Sequence, residues 1–214
     1  MDRYAPSFVI VPTKGALNKV QLSSPSIIAI GASTGGPVVF LNILRALPKR
    51  FPVPILAVQH VADGFITSFV EWLQPNCKIR IKIAQEGEKI QAGTVYFAPE
   101  DKHLHVTAKG IIRISTAPPI AGHRPSIDET FNSLQKNFSP HCWAFLLTGM
   151  GKDGAKGLKA LREEGCYTAV QDPASSVIYG MPGEALRLNG AVEILHPTIM
   201  VERLLALAEK KPTF

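Results

Sequence analysis

The run Ile27-Ile28-Ala29-Ile30 leads straight into Gly31-Ala32-Ser33-Thr34-Gly35-Gly36-Pro37, and this stretch constrains the fold most tightly. A short apolar run rich in isoleucine has the length and composition of a buried strand. Small residues then carry the chain round a tight corner. Pro37 suits the first turn of a helix, where a missing N–H does no harm. The helix predicted from about Pro37 to Ala46 sets Val38, Leu41, Leu44 and Leu47 at spacings of three, on one buried face. Such a unit lifts Ser33 to the carboxyl end of a sheet and aims free backbone N–H groups above it. Three uses of the corner compete: a nucleophilic serine, a serine that only caps the helix, and a phosphate cradle. The P-loop lysine is missing, because Thr34-Gly35-Gly36-Pro37 stands where Gly-Lys-Ser/Thr would be, and the G-x-G-x-x-G spacing is absent too.

A chain of 214 residues with 46% hydrophobic and 19% charged residues suits one globular α/β domain. Residues 1–26 hold prolines, a Ser-Ser-Pro-Ser stretch and little periodicity. They read as a tail or linker in which Phe8-Val9-Ile10-Val11 is the one strand candidate. The compact domain is predicted over residues 27–214. The 23 basic residues exceed the 17 acidic ones, for a net charge of +6, which favours acidic partners at long range. The basic residues are scattered with no dense block, so nucleic acid is not expected. Cys77, Cys142 and Cys166 include no C-x-x-C pair and fit free thiols in a reducing cytosol. No apolar run reaches membrane-spanning length and no signal-peptide core opens the chain, so the expectation is a cytoplasmic protein without membrane insertion.

Further along, Pro54-Ile55-Leu56-Ala57-Val58-Gln59 is a second buried strand and ends at His60. Polar groups at the carboxyl ends of neighbouring parallel strands gather where open sheets bind ligands. A helix from Gly64 to Leu73 follows, with Phe65, Phe69, Trp72 and Leu73 as its apolar face. Ile79–Ile83, Thr94–Phe97, His103–Val106 and Ile111–Ile114 alternate, and the turns between them predict β-hairpins, partly solvent-facing. His103 and His105 share a face, but no third metal ligand stands nearby, so a structural role is expected. Ser126 and Glu129 form a capping box at the start of a helix to about Asn137, with His123 and Arg124 just before it. Trp143–Leu147 is another buried strand. It runs into a second glycine-rich corner, Thr148-Gly149-Met150-Gly151-Lys152-Asp153-Gly154, before a helix to Glu164. For Asp153 the local reading is the N-cap of that helix; the alternative is a carboxylate on the rim that carries Ser33 and His60. Two further strands, Tyr167–Gln171 and Ala191–Leu195, and helices after Met181-Pro182 and from Pro197 complete the pattern. The fold class is α/β: a three-layer, mostly parallel, doubly wound sheet flanked by helices, with a β-hairpin excursion.

A hydroxyl attacks well only when a base takes its proton and an acceptor holds that base in one tautomer. Ser33, His60 and Asp153 on one rim meet this need, and Gly31-Ala32-Ser33-Thr34-Gly35 also fits the G-x-S-x-G pattern. Together they suggest hydrolysis of an acyl group.

Residues Ile28–Gly36, Gln59-His60, Ala98-Pro99, His123–Asp128, Leu147–Ala155, Gln171–Ser175 and Gly180-Met181-Pro182 closely resemble the catalytic domain of the CheB family of chemotaxis receptor methylesterases. The likeness runs in order from about Ile27 to Leu195. It implies a mostly parallel α/β sheet and a serine hydrolase that uses no cofactor and no metal. The implied activity is removal of methyl esters from glutamate side chains of chemoreceptors, with deamidation of receptor glutamines in some members. Carried over by motif, Ser33 is the nucleophile, His60 the base and acid, and Asp153 the group that orients His60. Thr34 and Met150 supply oxyanion N–H groups, and His123 contacts substrate. The implied partner is the cytoplasmic domain of a methyl-accepting receptor or a related methylated protein. Most members carry a receiver domain ahead of the catalytic domain. Residues 1–26 leave no room for one, so an excised domain or a stand-alone paralogue is expected, with any regulator acting in trans. Gly183 stands where the family usually has a basic residue. A rival reading is a non-catalytic module that uses the same rim to dock a receptor or partner.

Overall fold

The structure, a computed structural model, describes residues 24–209. The tail reading of residues 1–26, with its candidate strand at Phe8–Val11, falls almost wholly outside them. The elements are β1 (Ile27–Ala32), α1 (Gly36–Leu44), β2 (Ile55–Gln59), α2 (Phe65–Leu73), β3 (Arg80–Ile83), β4 (Thr94–Phe97), β5 (His103–Val106) and β6 (Ile112–Ser115). They continue with α3 (Ile127–Phe138), β7 (Cys142–Leu146), α4 (Ala155–Glu163), β8 (Tyr167–Gln171), α5 (Met181–Arg187), β9 (Glu193–Leu195) and α6 (Pro197–Glu209).

Seven strands form one parallel sheet in the order β3-β4-β2-β1-β7-β8-β9. All six residues of β1 are buried, as they must be in a central strand covered on both faces. Ile28, Ile30 and Ala32 point into a core shared with α1, α2 and α6. Ile27 and Ala29 point into the opposite core, shared with α3, α4 and α5. The two-residue period of the strand therefore divides its side chains between two helical layers. From β1 the chain works outward through β2 to β4 and β3, then returns to β7 on the other flank of β1. This reversal puts the topological switch point at the carboxyl ends of β1 and β7.

The alternating block is only partly hairpin. β5 and β6 pair antiparallel, whereas β3 and β4 are parallel members of the main sheet. Parallel neighbours need a crossover. Here the segment between β3 and β4 supplies it without a helix, bonding instead to the β6 side through Gly87 N–H to Ile112 O (3.0 Å) and Ile90 N–H to Gly110 O (2.8 Å). The hairpin seats on α3, where Thr130 Oγ1 donates to Leu104 O at 2.8 Å and Asn137 Nδ2 to Val106 O at 3.0 Å.

Two helix faces also differ from expectation. In α1 the buried residues are Gly36, Val39, Phe40, Ile43 and Leu44, and Val38 is 61% exposed. In α2 they are Ile66, Phe69, Val70 and Leu73, while Phe65 (62%) and Trp72 (44%) face solvent. Cys142 and Cys166 are buried neighbours at the amino ends of β7 and β8, with Sγ atoms 2.8 Å apart. Among the described residues no helix is long and apolar enough to cross a membrane.

Candidate active site

Ser33 directly follows β1, and its backbone is pinned from both neighbouring strands. On the β7 side, its N–H donates to Thr148 O at 3.0 Å. On the β2 side, the Gln59 amide donates to Ser33 O (2.9 Å) and to His60 O (2.8 Å), tying the two residues' carbonyls to one side chain. The N-cap of α1 is Gly35, at φ 85°, and no side chain caps that helix, so the hydroxyl of Ser33 is not spent as a cap. The left-handed turn favours glycine there. A Cβ on Gly35 would also meet Val177 Cγ2 at 2.6 Å.

His60 follows β2 and reaches toward Asp153, which stands in the corner after β7. Nε2 lies 3.0 Å from Asp153 Oδ2, within pairing distance though off the line of a linear hydrogen bond. The imidazole side chain is 12% exposed and the carboxylate 1%. Nδ1, the other ring nitrogen, is buried and has no partner among the described residues. No hydrogen bond joins it to Ser33 Oγ there.

Asp153 does not cap its own helix. The N-cap of α4 is Gly154, again left-handed at φ 85°. The carboxylate instead closes the start of α3: Oδ2 accepts from Ile127 N–H (2.7 Å), and Oδ1 from Asp128 N–H (3.1 Å) and Ser126 Oγ (2.8 Å). Gly154 N–H adds a further bond to Oδ1 at 3.0 Å. Burial by itself pushes the Asp153 carboxyl up. The contact from His60 and the amides of Ile127 and Asp128 outweigh it and hold the group below its ordinary value. An anion at a helix start gains from the helix dipole as well.

His123 stacks on His60, with ring centroids 4.3 Å apart and planes 6° from parallel. Burial, and then the neighbouring His60, lower the His123 pKa against a weaker opposing pull from Asp153. A cleft of about 190 Å³ lined by His60, Asp63, Glu100, His123 and Arg124 opens beside the two rings. Arg124 is held there by a two-point bond to Asp101, at 2.7 and 2.8 Å.

The second glycine-rich corner packs against the first. Thr148, fully buried, donates from Oγ1 to Thr34 O at 3.0 Å, and its N–H donates to Gln171 Oε1 at 2.9 Å. A Cβ on Gly149 would lie 2.7 Å from Ser33 Cβ, so only glycine lets the corners touch. Thr34 and Met150 therefore flank Ser33, Met150 with its side chain 69% exposed. Neither backbone N–H donates to a protein acceptor among the described residues.

All six residues singled out from sequence (Ser33, Thr34, His60, His123, Met150 and Asp153) thus meet at one rim. Sequence reasoning missed Gln59, Thr148, Gln171 and the second bond of Ser126. The first three share a signal: each is a polar residue buried at or just beyond the carboxyl end of an apolar strand. His103 is structural: Nδ1 accepts from Ser126 N–H at 3.2 Å, and Nε2 lies 3.2 Å from Pro118 O.

Comparison with known proteins bears on this arrangement. The family model described as CheB methylesterase matches residues 28–204. A protein-glutamate methylesterase/protein-glutamine glutaminase of Geobacter metallireducens is 48% identical over 185 residues, covering 86% of this chain and 53% of the relative. The protein-glutamate methylesterase FrzG of Myxococcus xanthus is 43% identical over 169 residues, covering 79% of this chain and 51% of FrzG. The chain thus spans about half the length of these curated relatives. The crystal structure of the Thermotoga maritima CheB methylesterase catalytic domain superposes with a TM-score of 0.82 at 34% identity, covering 87% of this chain and 100% of that one. The sequence motifs, the parallel sheet with its two touching corners and these relatives agree: the chain belongs to the CheB methylesterase family.

Proposed function

We propose that residues 27–214 form a serine hydrolase that removes methyl esters from glutamate side chains of chemoreceptors, releasing methanol. The observation that carries this reading is the 3.0 Å approach of His60 to a buried carboxylate, on the rim that holds a strand-end serine and, among the described residues, two backbone N–H groups without a protein acceptor. Ser33 Oγ attacks the side-chain ester carbonyl while His60 takes its proton on Nδ1, the nitrogen turned away from Asp153. Asp153 holds the ring and balances the imidazolium charge. The oxyanion gathers the N–H groups of Thr34 and Met150, each such donor being worth about 3–4 kcal/mol of barrier. His60 then protonates the departing methoxide. Water repeats the steps in reverse and frees glutamate and Ser33. Deamidation of a receptor glutamine follows the same route with ammonia as leaving group. His123, stacked on the base, lines the entry for substrate. The chemistry calls on no metal or cofactor.

The partner is the cytoplasmic domain of a methyl-accepting receptor or a related methylated protein, met in the cytoplasm. A binding module alone has no use for a buried carboxylate aimed at a histidine beside a serine, so that reading is not favoured. The test is incubation with methyl-labelled chemoreceptor, scoring volatile methanol. Wild type is expected to release it and Ser33→Ala to fall to background with an unchanged melting curve. An unchanged rate in Ser33→Ala removes the proposal.

A further inference from the structure

We propose that Ser126 is a positioning residue for the reaction, its hydroxyl locking Asp153 so that Oδ2 faces His60. The capping box accounts for only part of what Ser126 does. Its side chain is fully buried. The capping bond, from Glu129 N–H to Oγ, is long at 3.4 Å, whereas Oγ lies only 2.8 Å from Asp153 Oδ1. Glu129 N–H has only a proton to give and an ionised Asp153 only lone pairs, so the direction of both bonds is fixed. The single hydroxyl proton goes to Asp153, and the shorter, charge-assisted bond is the stronger of the two. The serine is itself anchored, because its N–H donates to His103 Nδ1 at 3.2 Å.

The bonds divide unevenly over the carboxylate. Oδ1 accepts from Ser126 Oγ, Asp128 N–H and Gly154 N–H, while Oδ2 accepts from Ile127 N–H and faces His60. Three donors on Oδ1 stop the carboxylate from turning about its Cβ–Cγ bond. Three of the four donors are backbone amides, which no side-chain exchange removes. Ser126 is the one that substitution can test. The result is a relay of side chains, Ser33, His60, Asp153 and Ser126, with the last member outside substrate reach.

The inference rests on the proposed roles of Ser33, His60 and Asp153, so Asp153→Ala is assayed beside Ser126→Ala, Ser126→Gly and Ser126→Thr. Methanol release is followed against pH. The titratable groups near the Ser126–Asp153 pair are His60, His103, His123 and Asp128, with Lys156 beyond Asp128. Ser126→Ala is expected to lower kcat about tenfold with KM unchanged, the usual effect of losing a bond to a charged group. It is also expected to move the acid limb of the kcat/KM profile up by about half a pH unit, because a carboxylate freed of one donor holds an imidazolium more strongly. Ser126→Thr keeps the hydroxyl and restores both. Ser126→Gly keeps a tolerated N-cap residue and shows the same loss as alanine, which separates the effect from helix capping. Wild-type kcat and an unmoved acid limb in both Ser126→Ala and Ser126→Gly, with Asp153→Ala inactive, overturn the role of Ser126 alone. Wild-type turnover in Asp153→Ala overturns the underlying reading as well.

Discussion

Replacing Asp128 by asparagine should stabilise the fold at neutral pH and do progressively less as the solution is made acidic. Asp128 stands in the first turn of α3, one residue past Ile127, whose amide binds Asp153. Burial pushes its carboxyl from the ordinary 3.8 up to about 6; the Gly157 N–H resists, the charge of Asp153 adds to the rise, and Lys156 and the Gly154 N–H resist again. In the unfolded chain the proton leaves near 3.8, whereas in the folded protein it is held to about 6. Between those values the native state binds more protons, so stability falls as pH rises through the window and the deficit is constant above it. The full gap corresponds to about 3 kcal/mol. Asp128 is partly exposed, and solvent screening cuts this to about 1–2 kcal/mol. Asparagine keeps an Oδ1 acceptor for the Gly157 N–H, now at 2.7 Å, but gives up an anion at a helix start, about 0.5 kcal/mol. The net gain at pH 7.5 is about 1 kcal/mol, or about 2–4 °C in Tm for a domain of this size. Calorimetric melts of both proteins from pH 4.5 to 7.5 measure it. A variant less stable at pH 7.5, or a difference that does not change with pH, would refute the electrostatic argument.

Two further outcomes follow from the same geometry. Asp153→Asn puts an amide NH₂ among four donors that all require an acceptor, so kcat should fall by about 10⁴ with a lowered Tm, read from methanol release and a melt on one preparation. Gly149→Ala drives a methyl to 2.7 Å from Ser33 Cβ and 2.4 Å from Met181 Sδ. Methionine can yield, the backbone that carries Ser33 cannot, and activity should drop far more than the about 1–3 kcal/mol of overpacking would suggest, in steady-state assays alongside denaturant unfolding.

The parts legible from sequence are those that local pattern determines. The isoleucine run and the two glycine corners mark two strand–turn–helix units, which carry Ser33 and Asp153, and the apolar run Ile55–Gln59 marks a third strand, which ends at His60. What stayed hidden depends on neighbours far along the chain. Asp153 looks like an N-cap because a local window contains only its own helix; the helix start it satisfies lies 25 to 27 residues upstream. Alternation in Ile79–Ile83 predicts a hairpin, yet the same pattern arises in an edge strand covered on one face, and strand direction is set by the crossover. The cleaner burial of Thr94–Phe97, where alternation was weaker, marks an interior strand. Spacings of three in α1 predict Val38 in the core, but the helix rolls so that Val39 and Phe40 pack instead.

The claim beneath all of this is that the Ser33 hydroxyl attacks the ester carbonyl and carries the acyl group. Acid-quenching the protein within its first turnover of a methylglutamate peptide, then locating covalent adducts by mass spectrometry, tests it most directly. The account predicts an acyl ester on Ser33 alone, absent from His60→Gln. Methanol released at the normal rate with no adduct, or an adduct on a different residue, would contradict it.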